Sequence, residues 1–186
     1  MIGFAMCGSY CTHKIALEQL EGLIRSGFEV QPILSENVYT TDTHFGTAET
    51  LKKRVGELCG RPIIHTVVEA EPLGPKTPLD ALLICPCTGN TLAKIALGIT
   101  DTSVTMAAKA HLRSDRPLVI ALASNDALSA NLKNIGLLLS RKCVYFVPLR
   151  QDDPEKKPHS LVADFSLLRP TLEFAERGKQ FQKIFI

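Results

Sequence analysis

Short, continuous apolar runs alternate along this chain with amphipathic stretches of helical period, and no other feature restricts its fold so much. The runs Asp80 to Cys85 (DALLIC) and Leu118 to Ala123 (LVIALA) contain almost no polar residue. A strand can be apolar on both faces only where helices cover both, which is the situation in a parallel sheet. Met1 to Cys7, Phe28 to Leu34 and Cys143 to Pro148 read as further strands. Between them, Ala16, Leu20, Leu23 and Ile24 recur on one helical face, as do Leu51, Val55 and Leu58 within Ala48 to Cys59. Helices are also expected over Asn90 to Ile99, Asp101 to Leu112, Asn131 to Ser140 and Leu167 to Arg177. The fold expected is a single α/β domain over residues 1–186, a doubly wound, Rossmann-like or flavodoxin-like parallel sheet with helices on both faces. Residues 150–160 (RQDDPEKKPHS) read as a charged loop, and 161–186 as a C-terminal helix and tail.

A chain of 186 residues with 45% hydrophobic content builds a core without disulfides or metals. Its net charge of +2 gives no reason to expect a nucleic-acid or membrane partner. No apolar run reaches bilayer length, and the start, MIGFAMCGSYCTHK, lacks the form of a signal peptide. A cytoplasmic location is the expectation. The six cysteines include a C-x3-C (Cys7, Cys11) and a C-x-C (Cys85, Cys87), neither of which has zinc-site spacing. They are read as reduced thiols, with no metal site.

Doubly wound sheets bind ligands beyond the carboxyl ends of their strands, so the turns there are where chemistry is sought. Gly8-Ser9-Tyr10-Cys11-Thr12 leads into a helix whose N-terminal amides and dipole favour phosphate; Ser9 or Thr12 serves equally as an ordinary cap. No G-x-G-x-x-G and no G-x4-G-K-[ST] is present, so neither a dinucleotide fingerprint nor a P-loop is expected. The second strand ends in Leu34-Ser35-Glu36, where Ser35 is a hydroxyl for phosphate and Glu36 a stand-in for a ribose-binding acid. Cys85-Pro86-Cys87-Thr88-Gly89-Asn90-Thr91 brings Thr88, Asn90 and Thr91 to one turn, and Gly89 allows close approach of a planar ligand. Ser124-Asn125-Asp126 closes the fourth strand, with Asp126 alternatively a turn cap.

These residues resemble the flavoprotein family that contains phosphopantothenoylcysteine decarboxylase and the lantibiotic decarboxylases. Gly8, Ser9 and Lys14 match its G-S-x4-K turn; Pro86, Thr88, Asn90 and Thr91 match its P-A-S/T-A-N-T segment; Lys94, Gly98 and Asp101 continue it, and Asn125 matches its P-A-M-N tip. That likeness covers roughly residues 1–150. The decarboxylases' catalytic histidine falls at Pro72, fourteen residues before Pro86, so cysteine decarboxylation is not expected. Four further segments are similar to the B subunits of dipicolinate synthases: Thr40 to Thr43, Ala70 to Lys76, Met106 to Ala110 and Asp153 to Pro158.

The resemblance implies a flavoprotein-like protein of sporulation that works beside a nicotinamide-binding A subunit carrying NAD(P). Together they would oxidise a dihydrodipicolinate-type intermediate to pyridine-2,6-dicarboxylate. It implies FMN, with Gly8, Ser9 and Ser35 at the phosphate and Thr88, Gly89, Asn90 and Thr91 along the ring and ribityl chain, and it implies a homo-oligomer. Asn125, Asp126 and His44, the last as a proton carrier, are candidates for substrate contact, and Lys14, Lys76 and Lys109 for a dicarboxylate. Two other functions stay open: a non-catalytic protein that stabilises the A subunit, and a flavin prenyltransferase. The latter family carries an arginine where this chain has Ala123-Ser124.

Overall fold

The computed structural model describes all of residues 1–186. In chain order the elements are β1 (Ile2–Met6), α1 (His13–Arg25), β2 (Val30–Leu34), α2 (Glu36–Thr40), α3 (Ala48–Cys59), α4 (Val67–Ala70), β3 (Leu82–Cys87), α5 (Gly89–Leu97), α6 (Ser103–Leu112), β4 (Leu118–Ser124), α7 (Leu132–Leu139), β5 (Val144–Phe146), β6 (Leu149–Arg150), β7 (Leu161–Ala163) and α8 (Leu168–Ala175). Strands β2, β1, β3, β4 and β5 lie side by side and parallel, the flavodoxin-like order. Every residue of β1 and β3 is buried, which is why both read as unbroken apolar runs. Helices α1 and α8 pack together, while α4, α6, α5 and α7 pack in succession as the opposite layer.

The sheet is mixed rather than parallel throughout. The seven-residue β4 serves two partners: Leu118–Ile120 pair with β5, and Ala123 and Ser124 pair antiparallel with β7, which pairs antiparallel with β6. With two and three residues, β6 and β7 are too short to show alternation, so the sequence does not announce them. The charged loop is therefore the 151–160 connection of an antiparallel pair, and the C-terminal segment begins with a strand. The tail then covers the free edge. The Gln180 amide donates to Phe146 O (2.7 Å) and accepts from Phe146 N (2.8 Å), standing in for a neighbouring strand. Ile184 O accepts from Leu149 N and Ile186 N donates to Leu149 O.

Helix boundaries follow capping chemistry. Thr47, Thr88 and Thr102 accept from backbone amides at the starts of α3, α5 and α6, and glycines close α3 and α5 in the left-handed region (Gly60 φ 60°, Gly98 φ 74°). Two short helices, α2 and α4, interrupt stretches that the sequence leaves as connections. No helix is long and apolar enough to cross a membrane.

Candidate functional site

Three strand ends deliver their turns to one cleft of about 920 Å³. At the β1–α1 turn the Ser9 amide donates to Cys7 O (2.9 Å), and the Thr12 amide and hydroxyl both donate to Ser9 O (3.0 and 2.8 Å). This tightens the chain so that the amides of Gly8, Tyr10 and Cys11 have no partner within the protein. Ser9 makes no cap bond, so its hydroxyl is free as well. At the β3–α5 turn, Thr88 Oγ1 accepts from Thr91 N (3.2 Å), while the amides of Gly89 and Asn90 are unpaired. The β4 end adds the exposed Asn125. Unpaired amides at two helix starts and the free Ser9 hydroxyl make a donor set suited to an oxyanion with a polar chain attached.

Asp126 lies in the cleft wall, held by Ser124 Oγ and by Asn131 Nδ2 (2.9 Å); these hydrogen bonds, Ser124's first, keep its carboxyl below the usual carboxylate range. Asn134 Nδ2 extends the chain of bonds to Asn131 Oδ1 (2.8 Å). Gly89 fits against this cluster. A Cβ there would sit 2.7 Å from both Asn131 Nδ2 and Asp126 Oδ1, and closer still to Ser124 Oγ. The close approach that the sequence marks at Gly89 is thus to the protein's own side chains.

Along the cleft, Lys157 pairs with Asp152 at 2.6 Å. Both belong to the 151–160 connection, as does Ser160, which also lines the cleft. Asp152 holds the Lys157 ammonium above its ordinary range, and Cys11 of the first turn is among its other neighbours. The cleft's one cation therefore shares the cleft with the free amides of the first turn.

Of the residues singled out in the sequence, Gly8, Ser9, Thr88, Gly89, Asn90, Asn125 and Asp126 line this cleft together. Three do not. Thr91 is buried and turned to the core, its hydroxyl donating to Cys7 Sγ (3.3 Å) and accepting from Thr88 Oγ1 (3.1 Å). Ser35 caps α2, accepting from Val38 N (3.4 Å), a helix that was not expected there. His44 is exposed on the loop before α3, its ring against Phe45. Lys76 and Lys109 are exposed and away from the cleft, and Lys14 lines a neighbouring pocket. Glu36 holds the start of α6, accepting from Ser103 N (2.9 Å), and does not line the cleft. The Lys94, Gly98 and Asp101 positions are structural too: Lys94 pairs with Asp101 at 2.8 Å around the turn that Gly98 closes.

The sequence reading passes over His13, which is buried at the start of α1. A carbonyl only accepts, so the 2.8 Å contact with Cys7 O places the ring proton on Nε2. Burial lowers the affinity of this imidazole for a second proton. Apolar periodicity offers no signal for it, because His13 takes an inward position between polar neighbours. No three or more His, Cys, Asp or Glu side chains group as a metal would require. Burial raises the Cys7 thiol to about 11 and those of Cys85 and Cys87 well above their ordinary value, so these are inert packing groups.

The Flavoprotein family matches residues 1–163. The dipicolinate synthase B subunit of Bacillus subtilis is 45% identical over 185 residues, covering 100% of this chain and 92% of that protein. The crystal structure of the dipicolinate synthase B subunit from Bacillus halodurans superposes with a TM-score of 0.92 at 44% identity, covering 100% of this chain and 95% of the other. The FMN-dependent cysteine decarboxylase SpaF shares the fold at a TM-score of 0.65 and 22% identity, over 94% and 95% of the two chains. By sequence and by fold, the chain belongs to the Flavoprotein family, as a homologue of the dipicolinate synthase B subunits.

Proposed function

We propose that this chain is the FMN-binding partner in the oxidation of a dihydrodipicolinate-type compound to pyridine-2,6-dicarboxylate, acting in the cytoplasm of a sporulating cell beside a nicotinamide-binding A subunit that carries NAD(P). The observation that carries the reading is the set of unpaired amides, at Gly8, Tyr10, Cys11, Gly89 and Asn90, that share one cleft with the free Ser9 hydroxyl. The cleft's volume suits a cofactor of this size. The donors would hold the phosphate at the Gly8–Cys11 turn, with Lys157 nearby, while Thr88, Asn90 and Asn125 would bind the polar chain and ring edge. Bound there, FMN supplies a two-electron acceptor, and aromatisation of the substrate favours that transfer. The protein's own part is to orient the ring against the wall built by Gly89 and Asp126 and to exclude water under the 151–160 connection.

A second reading is an accessory protein that stabilises the A subunit. It draws support from the engagement of the cleft's two carboxylates, Asp126 with Ser124 and Asn131 and Asp152 with Lys157, and from the absence of a histidine from its lining. Prenyl transfer is disfavoured, since no arginine lines the cleft. Reconstitution of the A subunit with and without this chain, each with and without FMN, decides between them. The redox reading requires that dipicolinate formation depend on both the chain and FMN. Undiminished turnover by the isolated A subunit would leave the accessory role.

A further inference from the structure

A second pocket of about 480 Å³ adjoins the cleft, sharing Tyr10, Cys11 and Phe45 with it. Its floor is apolar, formed by Leu17 of α1, Val38 of α2 and Leu51 of α3. Its polar lining has a single sign. Lys14 and Arg54 line it, and no carboxylate does. Arg54 is held by Glu21, but Lys14 has no ion-pair partner. His13 lines the same pocket. With Nε2 given to Cys7 O, its Nδ1 is an acceptor that makes no hydrogen bond within the chain. An apolar slot with a free cation at its mouth is built for a small flat carboxylate.

We infer that this pocket, separate from the cofactor cleft, binds the heterocyclic carboxylate on which the chain acts. The ring packs on Leu17, Val38 and Leu51, and one carboxylate reaches Lys14. Tyr10, Cys11 and Phe45 form the passage between this pocket and the cleft, so the ligand lies next to the position proposed for the cofactor. The identity of the ligand rests on the function proposed above; the location of the site rests only on the pocket.

The test is calorimetric titration of the purified full-length chain with pyridine-2,6-dicarboxylate in metal-free buffer, without FMN and then saturated with it. FMN affinity is measured on the same preparations by absorbance. Saturable binding is expected in both states, weakened about tenfold by Lys14→Ala, as for loss of a charge-assisted hydrogen bond, and left unchanged by Lys76→Ala or Lys109→Ala. Thr50→Trp, at an exposed lining position, should abolish it while FMN affinity and the thermal midpoint hold. Pyridine-2,6-dimethanol, which lacks the charge, should bind at least tenfold more weakly than the dicarboxylate. Competition between dicarboxylate and FMN would overturn the inference, because the pocket would then belong to the cofactor. Absence of dicarboxylate binding, or equal binding by the Lys14→Ala variant, would overturn it as well. Failure of FMN to bind while the dicarboxylate binds would remove the redox function and leave the pocket standing.

Discussion

The His13 imidazole donates from Nε2 to the Cys7 carbonyl at 2.8 Å, tying the first turn of α1 to the end of β1 from inside the β1–α1 turn. The turn is thus fixed by a buried side chain, while its outward amides stay unpaired. His111 repeats the arrangement elsewhere, bonding Pro117 O at 2.9 Å with its Nδ1 buried and unpartnered. Burial lowers the affinity of both rings for a second proton.

Stability should therefore depend on pH in a defined window. The unfolded chain protonates both histidines as pH falls through about 6.5, and the native chain only at lower pH. Protons then favour the unfolded state, so stability is constant above that pH and declines below it. The slope approaches about 1.4 kcal/mol per pH unit for each histidine. Urea unfolding between pH 7 and 5 should show this decline, and His13→Gln should remove about half of it. A flat profile in the wild-type chain would contradict the burial of the neutral rings.

Gly89→Ala should push Ser124, Asp126 and Asn131 out of register, since the added Cβ meets three of their polar atoms. An overpacking cost of about 1–3 kcal/mol is expected, together with weaker FMN binding. Gly74→Ala should cost more, because φ is 142° and the Cβ meets the Ala110 backbone, but FMN affinity should persist in whatever folds. Thermal melts with flavin titrations separate the two.

Ser35 distinguishes a cap from a ligand. As a cap of α2, its loss in Ser35→Ala should lower stability by about 1 kcal/mol and leave FMN affinity intact. Loss of FMN affinity without loss of stability would return Ser35 to the phosphate site.

Lys157 should act through charge. Lys157→Glu is expected to weaken FMN binding at low ionic strength and to differ little from wild type near 1 M salt, where the screening length is about 3 Å. A salt-independent defect would mean that the residue shapes the 151–160 connection instead.

The sheet and the cleft at its strand ends were legible because apolar runs such as DALLIC report burial on both faces, and the turns after them carry glycine and hydroxyl residues at fixed offsets. The β6–β7 pair was not, since two or three residues carry no periodicity. Thr91 and Ser35 show another limit: a hydroxyl at a strand end satisfies a helix or the core as readily as a ligand, and only the position of α2 and of Cys7 decides which. His13 and Lys157 went unread because one depends on an inward rotation of the first helical turn. The other depends on how a ten-residue connection folds back over the cleft.

The most direct measurement is an absorbance titration of the purified chain with FMN, repeated with Ser9→Glu and Asn90→Asp. The account predicts saturable binding with a perturbed flavin spectrum in the wild type. It predicts severe loss in both variants, which place a carboxylate among the unpaired amides, with their thermal midpoints unchanged. A wild-type chain that leaves the flavin spectrum unperturbed at saturating concentrations, or variants that bind FMN as tightly as the wild type, would contradict it.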